Sequence, residues 1–290
     1  VGSRPVHDEL EAALAAMHHR DAARLFPTGF QANLGVLGSL ARCAPGVVIL
    51  SDELNHASII DGARLARAQV EVYRHADAEH AAELLDRHAG RPVLVVTDGV
   101  FSMDGDLAPL DALAAACSAH DAQLVVDVAH DVLSPEVPDG SIVVGTLSKT
   151  LGAVGGYVAA DRAVVDLCTN TSRSFIFTTA GSPADSAAAL AAVRIVDGDE
   201  GARLRARLRA HVELLRPGHG SPIVPVLLGS EERSMRVAAE LLDRGLLVPA
   251  IRPPTVPPGA CRLRVALSAA HTSADVERLR DALHDLGVDR

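Results

Sequence analysis

Short aliphatic and β-branched runs alternate with Ala/Leu/Arg-rich stretches of helical length through most of this chain, and that rhythm leaves few folds open. Strands are expected at 47–50, 70–73, 93–97, 124–128, 141–146 and 156–160, with helices between them at 7–19, 31–42, 57–68, 78–89, 108–120 and 162–170. A strand that returns through a helix reaches its neighbour in parallel, and such helices cover the faces of the sheet. The expected fold class is therefore α/β, a mostly parallel central sheet sandwiched by helices. Near residue 200 the rhythm changes. A long helical tract over 183–215 passes through "DGDEG", and a shorter α+β stretch follows, with strands near 222–228, 246–250 and 262–268 and helices near 232–244 and 273–287. The sequence thus divides into a large domain over 1–201 and a small C-terminal α+β domain over 202–290, without an internal repeat.

Composition narrows the function. With 290 residues, 48% of them hydrophobic, the chain can bury a sizeable core. A formal charge of -10, with arginines spread along the length, would repel nucleic-acid phosphates, so nucleic acid is not expected as a partner. No apolar run approaches the ~18 residues of a membrane span. The opening "VGSRPVHDELEAALAAM" lacks the basic-then-apolar layout of a secretory signal. A cytoplasmic protein with no membrane contact is expected. Cys43, Cys117, Cys168 and Cys261 are widely spaced, which suggests reduced and mostly core residues rather than a metal site or disulfides.

One residue stands out by count. The chain holds 26 arginines and a single lysine, Lys149, in "VGTLSKTLG". A phosphate-binding loop of the form G-x-x-x-x-G-K-[ST] is excluded, because Val143 and Ser148 take both glycine places. What lysine does and arginine cannot is add to a carbonyl as a primary amine. A chance surface lysine is the plain alternative. The expected strand "LVVDV" places Asp127 near its carboxyl end and His130 just beyond, and ligands of open α/β sheets gather beyond the carboxyl ends of strands. The pair could equally be turn chemistry, and as a metal site it lacks a third ligand. His56, at a helix start in "DELNHASIIDG", could stack on a planar ligand; Ser102 in "TDGVFSMDGD" offers a hydroxyl to the same region. His18, His19, His75, His80, His88 and His120 lie in polar helical contexts and read as solvated. "FPTGFQAN" over 26–33 is a glycine turn entering a helix, and free N–H groups at such a start favour an anion such as phosphate.

Taken together, "NHASIIDG", "VTDGVFSMDGD", "DVAH", "GTLSKTLG", "FIFTT" and "IRPPTVPPGACRLRVALSAAHT" resemble the α-oxoamine synthases, fold-type I pyridoxal-phosphate (PLP) enzymes, in order and over nearly the whole chain. The resemblance implies that Lys149 forms an imine with the cofactor aldehyde and later takes the substrate Cα proton. It implies that Asp127 pairs with the pyridine nitrogen, that His130 and Ser102 support the phenolic oxygen, and that His56 stacks on the ring. Gly29, Phe30 and Thr146 would hold the phosphate, with Thr178 and Thr179 serving the phosphate site of a neighbouring subunit in a homodimer with a shared active site. Arg264, the second arginine of "CRLR", would bind the amino-acid carboxylate, and Arg4 of "GSR" would also face the substrate. The closest branch joins L-alanine to pimeloyl-CoA or a pimeloyl-carrier protein in biotin biosynthesis. Branches using glycine or serine with other acyl chains share the motifs, and a non-catalytic shortened homologue is the remaining alternative. Three stretches of the family pattern are absent here: a longer region before "GSR", a glycine-rich stretch between Arg4 and His7, and a glycine-rich loop after "DVAH", where this chain reads "DVLSPEVPDG".

Overall fold

The structure, a computed structural model, describes residues 2–133 and 137–288; the middle of "DVLSPEVPDG" lies outside them. Two compact units are present. One comprises Val1–Val100, Ala108–Asp131 and Pro135–Asp199, the other Phe101–Leu107, Val132–Ser134 and Glu200–Arg290.

The first unit is built on a seven-stranded sheet. Its strands are β1 (Ala22–Phe26), β2 (Val48–Asp52), β3 (Gln69–Tyr73), β4 (Val93–Asp98), β5 (Gln123–Asp127), β6 (Ile142–Thr146) and β7 (Gly156–Ala160), in the order β1-β7-β6-β5-β4-β2-β3. The pairs β2/β3, β2/β4, β4/β5 and β5/β6 are parallel, and β7 runs antiparallel to both β6 and β1. Period-two alternation assigns the faces. Ile142, Val144, Val125, Val96 and Ile49 pack with α2 (Gly29–Cys43), α3 (Ala57–Ala66) and α6 (Arg162–Thr171). Val143, Tyr157 and Ala159 pack with α1 (Pro5–Met17) and α8 (Pro183–Val196). Helices α4 (Ala78–Arg87) and α5 (Leu110–Ala119) join β3 to β4 and β4 to β5, and α7 (Arg173–Ile176) follows α6. Asp98, Asp127 and Thr146 each end a strand, so β4, β5 and β6 bring three polar side chains to one edge of the sheet.

The second unit holds the antiparallel sheet β8-β10-β9, from β8 (Ile223–Gly229), β9 (Ala250–Ile251) and β10 (Cys261–Ala266). It packs on α9 (Asp199–Leu215), α10 (Glu231–Asp243) and α11 (Ser273–Asp285) through Leu208, Val212, Val237, Leu241, Val276 and Leu283. No helix among the described residues is long and apolar enough to cross a membrane.

Two expectations need correction. Strand β1 was not anticipated, because "AARLF" has no β-branched residue and is defined by pairing with β7. The strand expected over 246–250 shrinks to Ala250–Ile251, since Pro249 and Pro253 flank it and proline cannot donate to a ladder.

Candidate active site

Lys149 projects from the turn after β6. Thr146 shapes that turn: its Oγ1 donates to Gly155 O at 3.1 Å and accepts from Ser148 N at 3.2 Å. Gly152 adopts a left-handed φ of 61°, which a residue with a Cβ resists. The exposed Lys149 places Nζ 2.9 Å from His130 Nε2, so the two residues singled out on different strands meet.

Asp127 is buried at the end of β5. Its Oδ2 accepts from Asn33 Nδ2 at 2.7 Å and its Oδ1 from Ala129 N at 2.9 Å. The same Asn33 nitrogen donates to Ser58 Oγ at 2.8 Å, and Ser58 Oγ lies 2.7 Å from His56 Nδ1. One amide on α2 therefore ties Asp127 to the first turn of α3, where His56 is the N-cap and accepts from Ser58 N. His56 N donates to Asp98 Oδ2 at 3.1 Å. Asp98 is buried, and its carboxyl is pushed well above the usual carboxylate range by burial and then by neighbouring Asp127; the His56 N–H and Lys149 pull the other way.

Gly29 begins α2 under the N-cap of Thr28, whose hydroxyl accepts from Gln31 N. The first N–H groups of a helix have no partner within it, and they make an anion site. A Cβ on Gly29 would lie 3.0 Å from Thr146 Cβ, and one on Gly156 would run into Gly29 N. The glycines keep open a cradle beside Thr146. Phe30 is half-exposed next to it, and Gln31 Nε2 donates to Thr178 Oγ1 at 3.3 Å, bringing Thr178 to the same helix start; Thr179 is exposed beside it. An amine, a carboxylate held by neutral donors, an imidazole over a helix start and an N–H cradle fit the donor set of PLP. Among the described residues no group of three or more His, Cys, Asp or Glu could hold a metal ion.

Three expected site residues make bonds of their own. Ser102 and Arg264 belong to the second unit, where Arg264 Nε donates to the Ser102 carbonyl rather than to its hydroxyl. Arg4 caps α1, and its backbone N–H donates to His7 Nδ1 at 2.9 Å. The solvated reading holds for the exposed His19 but fails for several of the other histidines. His18 is half-buried with Nε2 2.8 Å from Tyr157 OH, and its partial burial pushes it down to about 4; His88 is buried against Glu71, His75 bonds Asp52, and His120 bonds Asp86. Sequence reasoning missed Asn33, Asp98 and Asp131, whose carboxyl oxygens are shielded from solvent, although all three sit inside stretches already quoted.

Residues 1–283 match the aminotransferase class I and II family. The chain belongs to that family. It is 48% identical over 306 aligned positions to an 8-amino-7-oxononanoate synthase of Halorhodospira halophila, covering 97% of this chain and 75% of that protein. Since the alignment is longer than the 290 residues here, the relative carries segments without a counterpart in this family member. A serine palmitoyltransferase from S. paucimobilis, solved with PLP and myriocin bound, superposes with a TM-score of 0.89 at 31% identity, over 99% of this chain and 79% of its own. An 8-amino-7-oxononanoate synthase from Francisella tularensis superposes at 0.81 with 26% identity, over 98% and 87%. The α-oxoamine synthases are the branch of the family that these similarities share, and the α/β unit carries the fold-type I architecture of PLP-dependent transferases.

Proposed function

We propose that this enzyme condenses L-alanine with a pimeloyl thioester, releasing carbon dioxide and the thiol carrier and forming 8-amino-7-oxononanoate for biotin biosynthesis. The observation that carries the reading is the meeting of the single lysine with His130 beside the carboxyl ends of β5 and β6. Bound PLP supplies an electron-accepting ring beside which a carbanion is tolerable. Lys149 holds the cofactor through its amine and takes the alanine Cα proton. Asp127, fixed by Asn33 and Ala129 N, holds a proton at the ring nitrogen. His130 donates to the phenolic oxygen with Ser102 in support, and His56 covers a ring face. Gly29 and Phe30 N–H groups and the Thr146 hydroxyl bind phosphate, while Thr178 and Thr179 serve the partner's phosphate in a homodimer. Arg264 takes the amino-acid carboxylate through its fork, and Arg4 contacts substrate. The pathway reading makes the protein cytoplasmic, with CoA or a carrier protein bearing the pimeloyl group.

The test begins with purified protein and added PLP, which should give a visible band that borohydride bleaches. In Lys149→Ala both the band and turnover should vanish; a persisting, bleachable band would overturn the assignment. Alanine, glycine and serine are then offered with pimeloyl, acetyl, succinyl and palmitoyl thioesters, and alanine with pimeloyl should react fastest. The serine and palmitoyl arms address a second reading, favoured by the higher TM-score to serine palmitoyltransferase.

A further inference from the structure

The residue after His130 departs from the family pattern, which continues there into a glycine-rich loop; this chain has Asp131. Its N–H donates to Val128 O at 3.0 Å, closing a turn just past β5 and directing the side chain inward. Both carboxyl oxygens are shielded from solvent and make no hydrogen bond. They rest on the backbone of Gly99, beyond the end of β4, where any Cβ would collide with them. Facing this carboxyl are Asp127 from β5 and the Tyr157 hydroxyl from β7, which is bonded to His18 at the end of α1; Asp98, next to Gly99 in the chain, acts on Asp127, and Lys149 is engaged with His130. An ionised carboxylate with neither water nor a donor is a costly state, and a neighbouring carboxylate makes it costlier.

We propose that Asp131 is a positioning residue that works as a neutral, proton-bearing acid beneath the candidate active site: protonated, it adds no charge beside Asp127, and on releasing its proton to solvent it places a second carboxylate there. The inference rests on the role proposed for Asp127 and adds to it a group that the family pattern lacks. Burial, and then Asp127, push the Asp131 carboxyl up from the usual carboxylate range to about 7. Burial holds His18 at about 4, so no charged imidazole compensates, and it raises the Tyr157 hydroxyl, which stays protonated. The release therefore falls in the neutral range.

Asp131→Asn is the test, because it keeps the shape and cannot ionise. A group whose folded pKa is raised contributes stability that is fully present below the unfolded value and lost as pH climbs through the folded one. Between about pH 4 and pH 7 the melting temperature of the unsubstituted protein should fall relative to Asp131→Asn, by on the order of 5 °C, and the difference should level off above. The slope is the readout, since a buried amide costs the same at every pH and the Asp98 contribution cancels between the two proteins. An infrared difference spectrum between the two should show a protonated-carboxyl band at acid pH that disappears at alkaline pH. With PLP added, the pH midpoint of the visible band should move in Asp131→Asn. If Asp131→Asn does not fold, Asp131→Gly, which removes the carboxyl altogether, serves the same comparisons. Parallel melting profiles with no protonated-carboxyl band would overturn the proposal. Failure of the wild-type protein to give a visible band would instead sink the PLP reading, while the melting and infrared measurements on cofactor-free protein still decide the state of Asp131.

Discussion

Asn33 gives Asp127 a donor that carries no charge, which is why Asp127 can be buried without a salt bridge. Losing a hydrogen bond to a charged group costs roughly 1.5–3 kcal/mol, so Asn33→Ala should lower unfolding stability by about 2–3 kcal/mol, read by chemical denaturation, and weaken PLP binding in a spectroscopic titration. Lys149 was legible from the sequence because arginine does every other cationic task in the chain. Asp127 and His130 were legible from their place at the end of a strand. Asn33 was not, because an amide in a helix reads as polar surface until the strand beneath it is known. Asp98 and Asp131 were hidden for a related reason: an acid next to glycine or after a strand looks like turn chemistry, and burial is a property of the fold. His18 shows the same limit, its partner Tyr157 lying far along the chain.

Among the elements, the parallel strands β2, β4, β5 and β6 were visible as apolar runs because both of their faces are covered, whereas the edge strand β3 leaves Val70 and Val72 exposed. Boundaries followed chemistry that spacing alone does not show: Asp77, Ser182, Ser230 and Thr272 cap α4, α8, α10 and α11 through their side chains. The connection from β5 to β6 is held by Arg20. Its guanidinium, 4% exposed, donates to Ser141 O at 2.9 Å, Pro138 O at 2.8 Å and Val137 O at 3.3 Å, and also to His18 O. Arg20→Ala removes all of these and leaves several carbonyls without donors. Its melting temperature should drop by roughly 5–10 °C, a loss of about 2–4 kcal/mol, and limited proteolysis followed by mass spectrometry should find the first cleavage within 128–141. An unchanged cleavage pattern would show that other contacts hold the connection.

Across the molecule, the membership of Phe101–Leu107 in the second unit was not readable from the sequence, because that segment sits between β4 and α5. Its attachment is specific. Arg262, 6% exposed, pairs with Asp104 and donates to Met103 O, and Ser221 Oγ donates to Gly105 O at 2.6 Å. A fragment spanning 200–290 would leave Arg262 buried without its carboxylate, an arrangement that costs about 3–5 kcal/mol. Such a fragment should unfold at a lower temperature and less cooperatively than the same unit in the full chain, as circular dichroism melting would show, and adding a peptide of 101–107 should restore part of the loss. The meeting of Lys149 with His130 also has a practical corollary. In a chain with one lysine, an acylating reagent aimed at side-chain amines has a single address, so the mass added to one peptide becomes a direct gauge of how occupied that pocket is, with no residue altered to obtain it.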